Sequence, residues 1–315
     1  MTSDVTITVV MPVHDEAEQI RENVLRVGAL LETAGIRHDF VLVDDGSRDE
    51  TWAELQWLAL DPATPVTAVR LSRNFGKEAA LCAGLELATG DAVVTIDADL
   101  QHPPELIVEM VRLWREQGYE VVEGVKRDRG RQSVFQKLGA AFFYRVFSTL
   151  TGIDLNQATD FKLLDRRVVE AWRRMGESRT FFRGMTSWVG YRHIELPFDV
   201  VDRSAGRSKW SLRKLFWYAV DSTTSFTAVP LYAIAYLGLI FSLLAFALMV
   251  QTLWMKFSGS AVTGFTTVII LILVVGGAIM IDLGIIGVYL SKIYEETKAR
   301  PRFVVADIVG GTADE

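Results

Sequence analysis

Two long runs without a charged residue lie near the C-terminus of this 315-residue chain. Residues 222–255 contain no Asp, Glu, Lys or Arg, and the same holds for residues 257–281 after a single Lys256. Each run exceeds the roughly 20 residues that cross a bilayer as a helix. Because the connecting segment is short, the pattern predicts a two-helix transmembrane hairpin, with helices at about 227–253 and 263–289.

Positive charges on either side of these runs predict the orientation of the hairpin. Lys256 is the only Lys or Arg in the connector, whereas both outer flanks are basic: Arg203, Arg207, Lys209, Arg213, Lys214, Lys292, Lys298, Arg300 and Arg302. Since basic flanks stay cytoplasmic, we expect both termini in the cytoplasm and the hairpin in the inner, cytoplasmic membrane. The N-terminal sequence does not resemble a signal peptide, because it lacks a basic region before its apolar stretch.

The remainder of the chain predicts one cytosolic domain. We expect this domain at residues 1–210, an amphipathic juxtamembrane helix at 211–226, the hairpin at 227–292 and a cytosolic tail at 293–315. The net charge of −6 is not that of a nucleic-acid-binding protein. A single cysteine, Cys82, excludes an internal disulfide and a multi-cysteine zinc site.

Within the cytosolic domain, short β-rich segments alternate with segments of helical periodicity. The pattern predicts helices at 16–34 and 76–88, and strands at 5–12, 40–46, 67–72, 91–97 and 119–125. This alternation predicts an α/β domain with a mostly parallel sheet covered by helices. Ligands of such sheets bind at the carboxyl ends of the strands.

Acidic residues follow three of the predicted strands. The segments PVHDE, DDGS and DAD end the first, second and fourth strands, so we expect them to meet in one crevice. Asp97 and Asp99, with Gln101 two residues later, offer the oxygen ligands that suit Mg²⁺ or Mn²⁺. Such a cation would bind the phosphates of a nucleotide. Asp44 and Asp45 suit either a turn at Gly46 or a contact with a base or ribose.

Other nucleotide-binding motifs are missing. No G-x-G-x-x-G follows the first strand, and the Gly76-Lys77 pair has neither the spacing nor the hydroxyl of a P-loop. These absences argue against a dehydrogenase and a P-loop enzyme. Of the four histidines, His14 and His102 are the ones that lie near the predicted crevice.

Five motifs, in this order and spacing, resemble glycosyltransferase family 2 and, more narrowly, its polyprenyl-phosphate glycosyltransferases: VVMPVHDEAEQI, VLVDDGSRDET, LSRNFGKEAALCAGLELATGD, TIDADLQHPPE and QATDFKLLDRRVVE. The resemblance covers nearly the whole chain, including the hairpin. It implies a GT-A, Rossmann-like domain that binds a nucleotide sugar, an Mg²⁺ or Mn²⁺ cofactor, and a polyprenyl phosphate acceptor in the lipid bilayer. It also implies a homo-oligomer, since related hairpin enzymes form tetramers.

The resemblance further implies roles for particular residues. Asp99 and Gln101 would be metal ligands, with Asp99 also catalytic. Arg203 and Lys209, in RSAGRSK, would bind the diphosphate and the acceptor phosphate. Asp160 is the candidate base by position, although it would equally suit orienting the sugar or acceptor, or capping the next element. The nucleotide-sugar positions of the family correspond to Pro12, His14 (a tyrosine in most members), Glu16, Val43, Asp45, Asp97, Ala98 and either Lys126 or Arg127.

The function implied is inverting, metal-dependent transfer of a hexose from a nucleotide sugar, UDP-glucose first, to undecaprenyl phosphate at the cytoplasmic membrane face. The lipid-linked sugar would then serve glycosylation of the cell envelope. Transfer of mannose from GDP-mannose and a non-catalytic, membrane-anchored nucleotide-sugar-binding protein are the alternatives. A lipid phosphate has a second pKa near 6, so it is mostly dianionic at neutral pH and needs neighbouring cations more than a strong base.

Overall fold

The computed structural model describes residues 5–126, 159–175, 182–198, 229–258 and 264–311. The chain divides into two units, one formed by residues 1–208 with 300–315 and the other by residues 209–299. The first unit is an α/β unit built on one sheet, and the second contains two long helices.

In the described residues, eight strands form a mixed sheet in the order β7-β5-β6-β4-β1-β2-β3-β8. The strands are β1 (Thr6–Val13), β2 (Arg37–Asp44), β3 (Val66–Leu71), β4 (Ala92–Thr95), β5 (Val121–Lys126), β6 (Lys162–Asp165), β7 (His193–Phe198) and β8 (Val305–Gly310). The central strands β4, β1, β2 and β3 are parallel, as is the β5–β7 pair. Strands β6 and β8 run antiparallel to their neighbours. The sequence predicted a mostly parallel sheet; the centre has that pairing, and the flanks make the whole sheet mixed.

Helices cover both faces of this sheet. They are α1 (Ile20–Thr33), α2 (Thr51–Leu60), α3 (Lys77–Leu87), α4 (Leu106–Gln117), α5 (Arg166–Arg173) and α6 (Phe182–Trp188). Helix α1 buries Ile20, Val24, Val27 and Leu31, whose spacing places them on one helical face. These residues pack in one core with α2, α4 and the β1 side chains that alternate from Ile7.

Helix α3 packs on the opposite face of β1. Successive side chains of a strand point to opposite faces, so Val10 points away from the core that contains Val9 and Met11. A Cβ atom on Gly84 of α3 would lie well inside the contact distance of the Val10 side chain. Glycine at this position therefore lets α3 approach the sheet closely.

The second unit contains the helices α7 (Val229–Phe257) and α8 (Phe265–Thr297). Both are long and apolar enough to cross a membrane; their apolar stretches, Ile234–Met255 and Val274–Thr297, have mean hydropathies of 2.2 and 1.9. Large apolar side chains along them are exposed, among them Trp254 and Phe257. The predicted juxtamembrane helix at 211–226 lies outside the described residues.

The C-terminal segment returns to the sheet. The sequence predicts a tail at residues 293–315, and the structure adds that Val305–Gly310 is an edge strand, antiparallel to β3. Arg302 also donates a hydrogen bond to the carbonyl oxygen of Met175, and its guanidinium lies over the Trp172 ring at 5.2 Å. The described residues from Arg300 onward thus belong to the α/β unit.

Candidate functional site

An open cavity of about 300 Å³ lies at the carboxyl ends of β1, β2 and β4. Four carboxylates face it, together with one lysine and one histidine. Its lining consists of Pro12, Val13, His14, Glu16, Asp45, Asn74, Gly76, Lys77, Asp97, Ala98 and Asp99. The three acidic strand ends therefore meet in one crevice, as the sequence predicts.

The loops after β1 and β2 are bound to each other. The backbone N–H of Asp15 donates to the Ser47 hydroxyl at 3.0 Å, and the Asp15 carboxylate accepts from the N–H of Arg48 at 2.8 Å. The N–H of Glu16 donates to the Thr51 hydroxyl at 2.9 Å. These bonds fix the two loops that carry His14 and Asp45 relative to each other.

The two neighbouring aspartates after β2 have different partners. Asp44 is fully buried and accepts from the N–H of Ser47 at 2.8 Å, which closes the turn. Asp45 accepts from the N–H groups of Phe75 and Gly76, at 2.7 and 2.8 Å. Burial raises the pKa of Asp45, against these two hydrogen bonds. Asp45 therefore anchors the loop that leads into α3.

Asp97 and Asp99 end the apolar strand β4 and line the cavity. Asp99 accepts from the backbone N–H of Gln101 at 3.1 Å, and Leu100 between them adopts a positive φ of 46°. Glu16 faces the same space, where burial and the neighbouring charge of Asp99 raise its pKa. The site thus concentrates negative charge.

This donor set suits a divalent cation that binds together with phosphates. Among the described residues, no cluster of three or more His, Cys, Asp and Glu side chains is arranged to hold a metal ion. Magnesium is commonly held by one or two carboxylates together with substrate phosphates, rather than by an all-protein cage. Asp97 and Asp99 provide two such carboxylates at a cavity open enough to admit the phosphates.

A chain of alternating charges leads from the cavity into the protein. Lys77 Nζ lies 2.6 Å from Asp97 Oδ1 and 2.7 Å from Asp160 Oδ2. Asp160 is buried and also receives Arg183, whose Nε lies 2.7 Å from Oδ1 and whose Nη2 lies 2.9 Å from Oδ2. Although burial opposes ionisation, Arg183 and Lys77 hold the pKa of Asp160 far below its ordinary value.

Glu78 connects this cluster to the start of α6. Its carboxylate accepts from the backbone N–H of Phe182 at 2.9 Å. Burial, followed by the charge of Asp160, raises the pKa of Glu78 to about 7.

A second buried network lies next to Asp160 in the chain. Lys162 is completely buried, lies 3.2 Å from the Glu123 carboxylate and donates to the Thr186 hydroxyl at 2.6 Å. Glu123 accepts in turn from the backbone N–H of Thr159 at 2.8 Å. The network connects Thr159, the residue before Asp160, to α6. Helix α6 also carries Arg183, which pairs with Asp160.

His102 is buried beside Asp97, one of the two carboxylates that suit a divalent cation. Its Nδ1 lies 3.9 Å from Asp97 Oδ2, and its ring stacks on Phe161 with centroids 5.4 Å apart. Neither ring nitrogen has a hydrogen-bond partner among the described residues. Burial lowers the pKa of His102. His14, by contrast, is half-exposed, with Nε2 3.0 Å from Asn74 Nδ2.

The other predicted site residues divide into two groups. Within the described part of the chain, Val43 is buried in β2 opposite Pro12 and does not line the cavity. Lys126 is the half-buried last residue of β5, and its charge acts on His102. Arg127, Arg203 and Lys209 lie outside the described residues, so their predicted roles stay predictions.

The sequence motifs do not identify Lys77 or Arg183 as site residues. The Gly76-Lys77 pair lacks the features of a P-loop, but it lies just after β3. This position indicates a site residue, because β3 also ends at the crevice edge. Arg183 lies in FFRGMTSW, which carries no motif. It meets Asp160 through tertiary packing alone.

The family model and the relatives that match this chain are all described as glycosyl or glucosyl transferases. The family model described as Glycosyl transferase family 2 matches residues 8–173. An uncharacterized glycosyltransferase of Synechocystis is 39% identical over 97% of this chain and 96% of its own length. A prophage bactoprenol glucosyl transferase homolog of Escherichia coli is 34% identical over 95% and 98% of the two chains. The bactoprenol glucosyl transferase of Shigella phage SfX matches at the same identity and coverage.

Proposed function

The chain belongs to glycosyltransferase family 2, and we propose that it transfers glucose from UDP-glucose to a polyprenyl phosphate at the cytoplasmic face of a membrane. The observation that carries the proposal is the cavity in which Glu16, Asp45, Asp97 and Asp99 meet Lys77 at the ends of parallel strands. Relatives named bactoprenol glucosyl transferases, similar over nearly the full chain, support glucose as the sugar and a polyprenyl phosphate as the acceptor.

The cavity suits the donor half of this reaction. In the proposal, the loops after β1 and β2 bind the base and ribose, and the carboxylates after β4 hold the cation that binds the diphosphate. Mg²⁺ or Mn²⁺ bound by Asp97 and Asp99, with Gln101 as a further ligand, would offset the charge of the leaving diphosphate. An acceptor phosphate oxygen forms the new bond to the anomeric carbon as the bond to the nucleoside diphosphate breaks. A single displacement of this kind inverts the anomeric configuration.

No strong base is required for this step. The acceptor phosphate is mostly ionised at neutral pH because its second pKa is near 6. Asp160, the base candidate from sequence, is committed to two cations that keep it ionised. We therefore assign it to positioning. In the proposal, Arg203, Lys209 and either Lys126 or Arg127 supply positive charge for the phosphates.

The two long helices suit an anchor that brings the crevice to its lipid acceptor. In water, the exposure of Trp254 (76%) and Phe257 (86%) would be unfavourable, whereas lipid tails would cover both side chains. We propose that α7 and α8 cross the membrane as a hairpin with both ends cytoplasmic. A cysteine at Ser258, between the helices, should react with a membrane-impermeant maleimide from the periplasmic side only. Labelling from the cytoplasmic side alone would refute this topology.

The direct test of function is transfer by membranes that contain the chain. Labelled UDP-glucose and GDP-mannose are each offered with undecaprenyl phosphate, with and without EDTA. We expect glucolipid from UDP-glucose alone, abolished by EDTA. Asp99→Ala should lose more than the roughly 10- to 100-fold that removal of an outer-shell partner costs. Asp61→Ala, a control in the loop after α2, should keep full activity. Mannolipid from GDP-mannose alone would replace glucose with mannose, and no lipid product from either donor would refute the proposal.

A further inference from the structure

We propose that Lys77 is a phosphate-binding residue of this enzyme, which pairs with the diphosphate of the nucleotide sugar, and that Asp160 is the positioning residue that holds it. The inference rests on the proposed function and assigns a role to two residues of the same site.

Lys77 lies between the cavity and the buried cluster. It is the first residue of α3 and lines the cavity beside Asp97 and Gly76. Its side chain is 42% exposed, although Nζ has a carboxylate oxygen on each side at 2.6 and 2.7 Å. The lysine side chain thus borders the cavity in which the proposal places the diphosphate.

The backbone of Lys77 is fixed from the donor side. The carboxylate of Asp45 accepts from the two N–H groups just before it in the chain, at Phe75 and Gly76. Gly76 has a φ of 101°, which a residue with a side chain rarely adopts. Because these hydrogen bonds hold the loop, the Cα position of Lys77 is fixed relative to the cavity.

The ammonium group is fixed from the opposite side by Asp160. Each Asp160 oxygen accepts from Arg183, and Oδ2 also accepts from Lys77. An anion with this many donors is poorly suited to take a proton and well suited to orient a cation. Arg183 compensates the buried charge of Asp160, which leaves Lys77 available for a second anion.

The ion pair between Lys77 and Asp97 indicates which second anion Lys77 would bind. Lys77 now pairs with Asp97, one of the two carboxylates that suit a divalent cation. A diphosphate oxygen offers the same ammonium a charged acceptor when Asp97 is engaged elsewhere, so Lys77 exchanges one anion for another without losing a partner. This exchange favours the phosphates over the base or sugar, since only they carry full negative charge.

The test compares ligands with and without phosphates. Binding of UDP and of uridine to the purified full chain is measured by ligand-observed NMR, first without metal and then with Mg²⁺. Mg²⁺ is used instead of Mn²⁺ because it is diamagnetic. We expect Lys77→Met to weaken UDP binding about 10- to 100-fold, the range for a charged hydrogen bond, and to leave uridine binding unchanged. Lys77→Arg should recover part of the loss. Arg26→Met, at an exposed ion pair on α1, should behave as wild type.

A double-mutant cycle tests the role of Asp160. If Asp160 acts through Lys77, Asp160→Asn weakens UDP binding in the wild-type background and adds little in the Lys77→Met background. If Asp160 is a base, its replacement lowers turnover in both backgrounds by the same factor and changes the pH–rate profile, which overturns the positioning role. Equal losses of UDP and uridine binding in Lys77→Met, or unchanged UDP binding, overturn the phosphate contact. A wild-type chain that binds UDP but transfers no glucose refutes the proposed function and leaves this comparison intact.

Discussion

Glycine residues have opposite surroundings in the two units: close neighbours in the α/β unit and open space in the helical unit. In the α/β unit, a Cβ on Gly46 or Gly84 would collide with a neighbouring chain segment. Among the described residues, and apart from the backbone of its own helix, no atom lies within 4 Å of such a Cβ on the glycines of α7 and α8: Gly238, Gly276, Gly277, Gly284 and Gly287. The α/β unit encloses its own core, with Ile7, Leu42 and Phe161 fully or almost fully buried. The helical unit leaves its apolar side chains exposed. The α/β unit is therefore held by contacts within the chain, whereas the described side chains of the helical unit make few such contacts.

The comparison is tested most severely at Gly46, where we expect the largest effect. Gly46 has a φ of 66°, and its Cβ would lie 2.5 Å from the carbonyl carbon of Arg73 and 2.6 Å from the nitrogen of Asn74. Both atoms are backbone and cannot rotate away. Gly46→Ala should lower the free energy of unfolding by roughly 3 to 4 kcal/mol. Chemical unfolding of the full chain in detergent, followed by tryptophan fluorescence, measures this loss, and a loss below about 1 kcal/mol would contradict the prediction.

A buried acid in the α/β unit gives the next effect, and it depends on pH. The folded pKa of Glu78 is about 7, above the ordinary 4.5. Between these values the folded state binds more protons, so stability falls as pH rises through the window. Glu78→Gln removes the charge and keeps an acceptor for the Phe182 N–H. At pH 8 the variant should be more stable than wild type by about 3 kcal/mol, and the two should converge near pH 4. Parallel stability curves for the two chains would refute the assignment.

Gly84 tests whether helix packing alone sets the requirement for glycine. Gly84→Ala places a Cβ against the stiff, buried Val10 side chain, so unfolding should cost about 2 kcal/mol less. Val10→Ala on the same background removes the colliding atoms and should restore part of the loss. If the double variant is as unstable as the sum of the two single variants, the contact between α3 and β1 is not the cause.

The smallest effect is expected in the helical unit. Gly277→Ala in α8 meets no atom of the described chain, so its free energy of unfolding should stay within about 0.5 kcal/mol of wild type. The measurement is the same unfolding experiment, with Gly84→Ala as the sensitive reference. A loss comparable with that of Gly84→Ala would show that another surface covers this glycine in the folded protein, which would weaken the contrast between the two units.

Much of the α/β unit follows from local pattern. The predicted strands at 5–12, 67–72 and 119–125 match β1, β3 and β5 to within two residues at either end, since an apolar run between turn residues is a local signal. The meeting of the three strand ends also follows, because parallel strands place their carboxyl ends along one edge. The metal, base and phosphate assignments of individual residues remain predictions.

The parts that sequence could not give depend on contacts between distant residues. Strand β8 pairs with β3 across more than two hundred residues, including both long helices. Lys77, Asp160 and Arg183 come from three separate segments, and no spacing rule relates them. Their meeting is a property of the assembled sheet, as is the mixed pairing of β5, β6 and β7.

Strand β8 also bears on how this protein can be divided. A chain cut before α7 to obtain a water-soluble fragment would lose Val305–Gly310 and leave the backbone of β3 without its outer neighbour. An uncovered strand edge invites pairing with other molecules, so such a fragment should aggregate even though the crevice residues are all present. Replacing residues 229–299 with a flexible linker, so that β8 is kept, is the division that respects the fold.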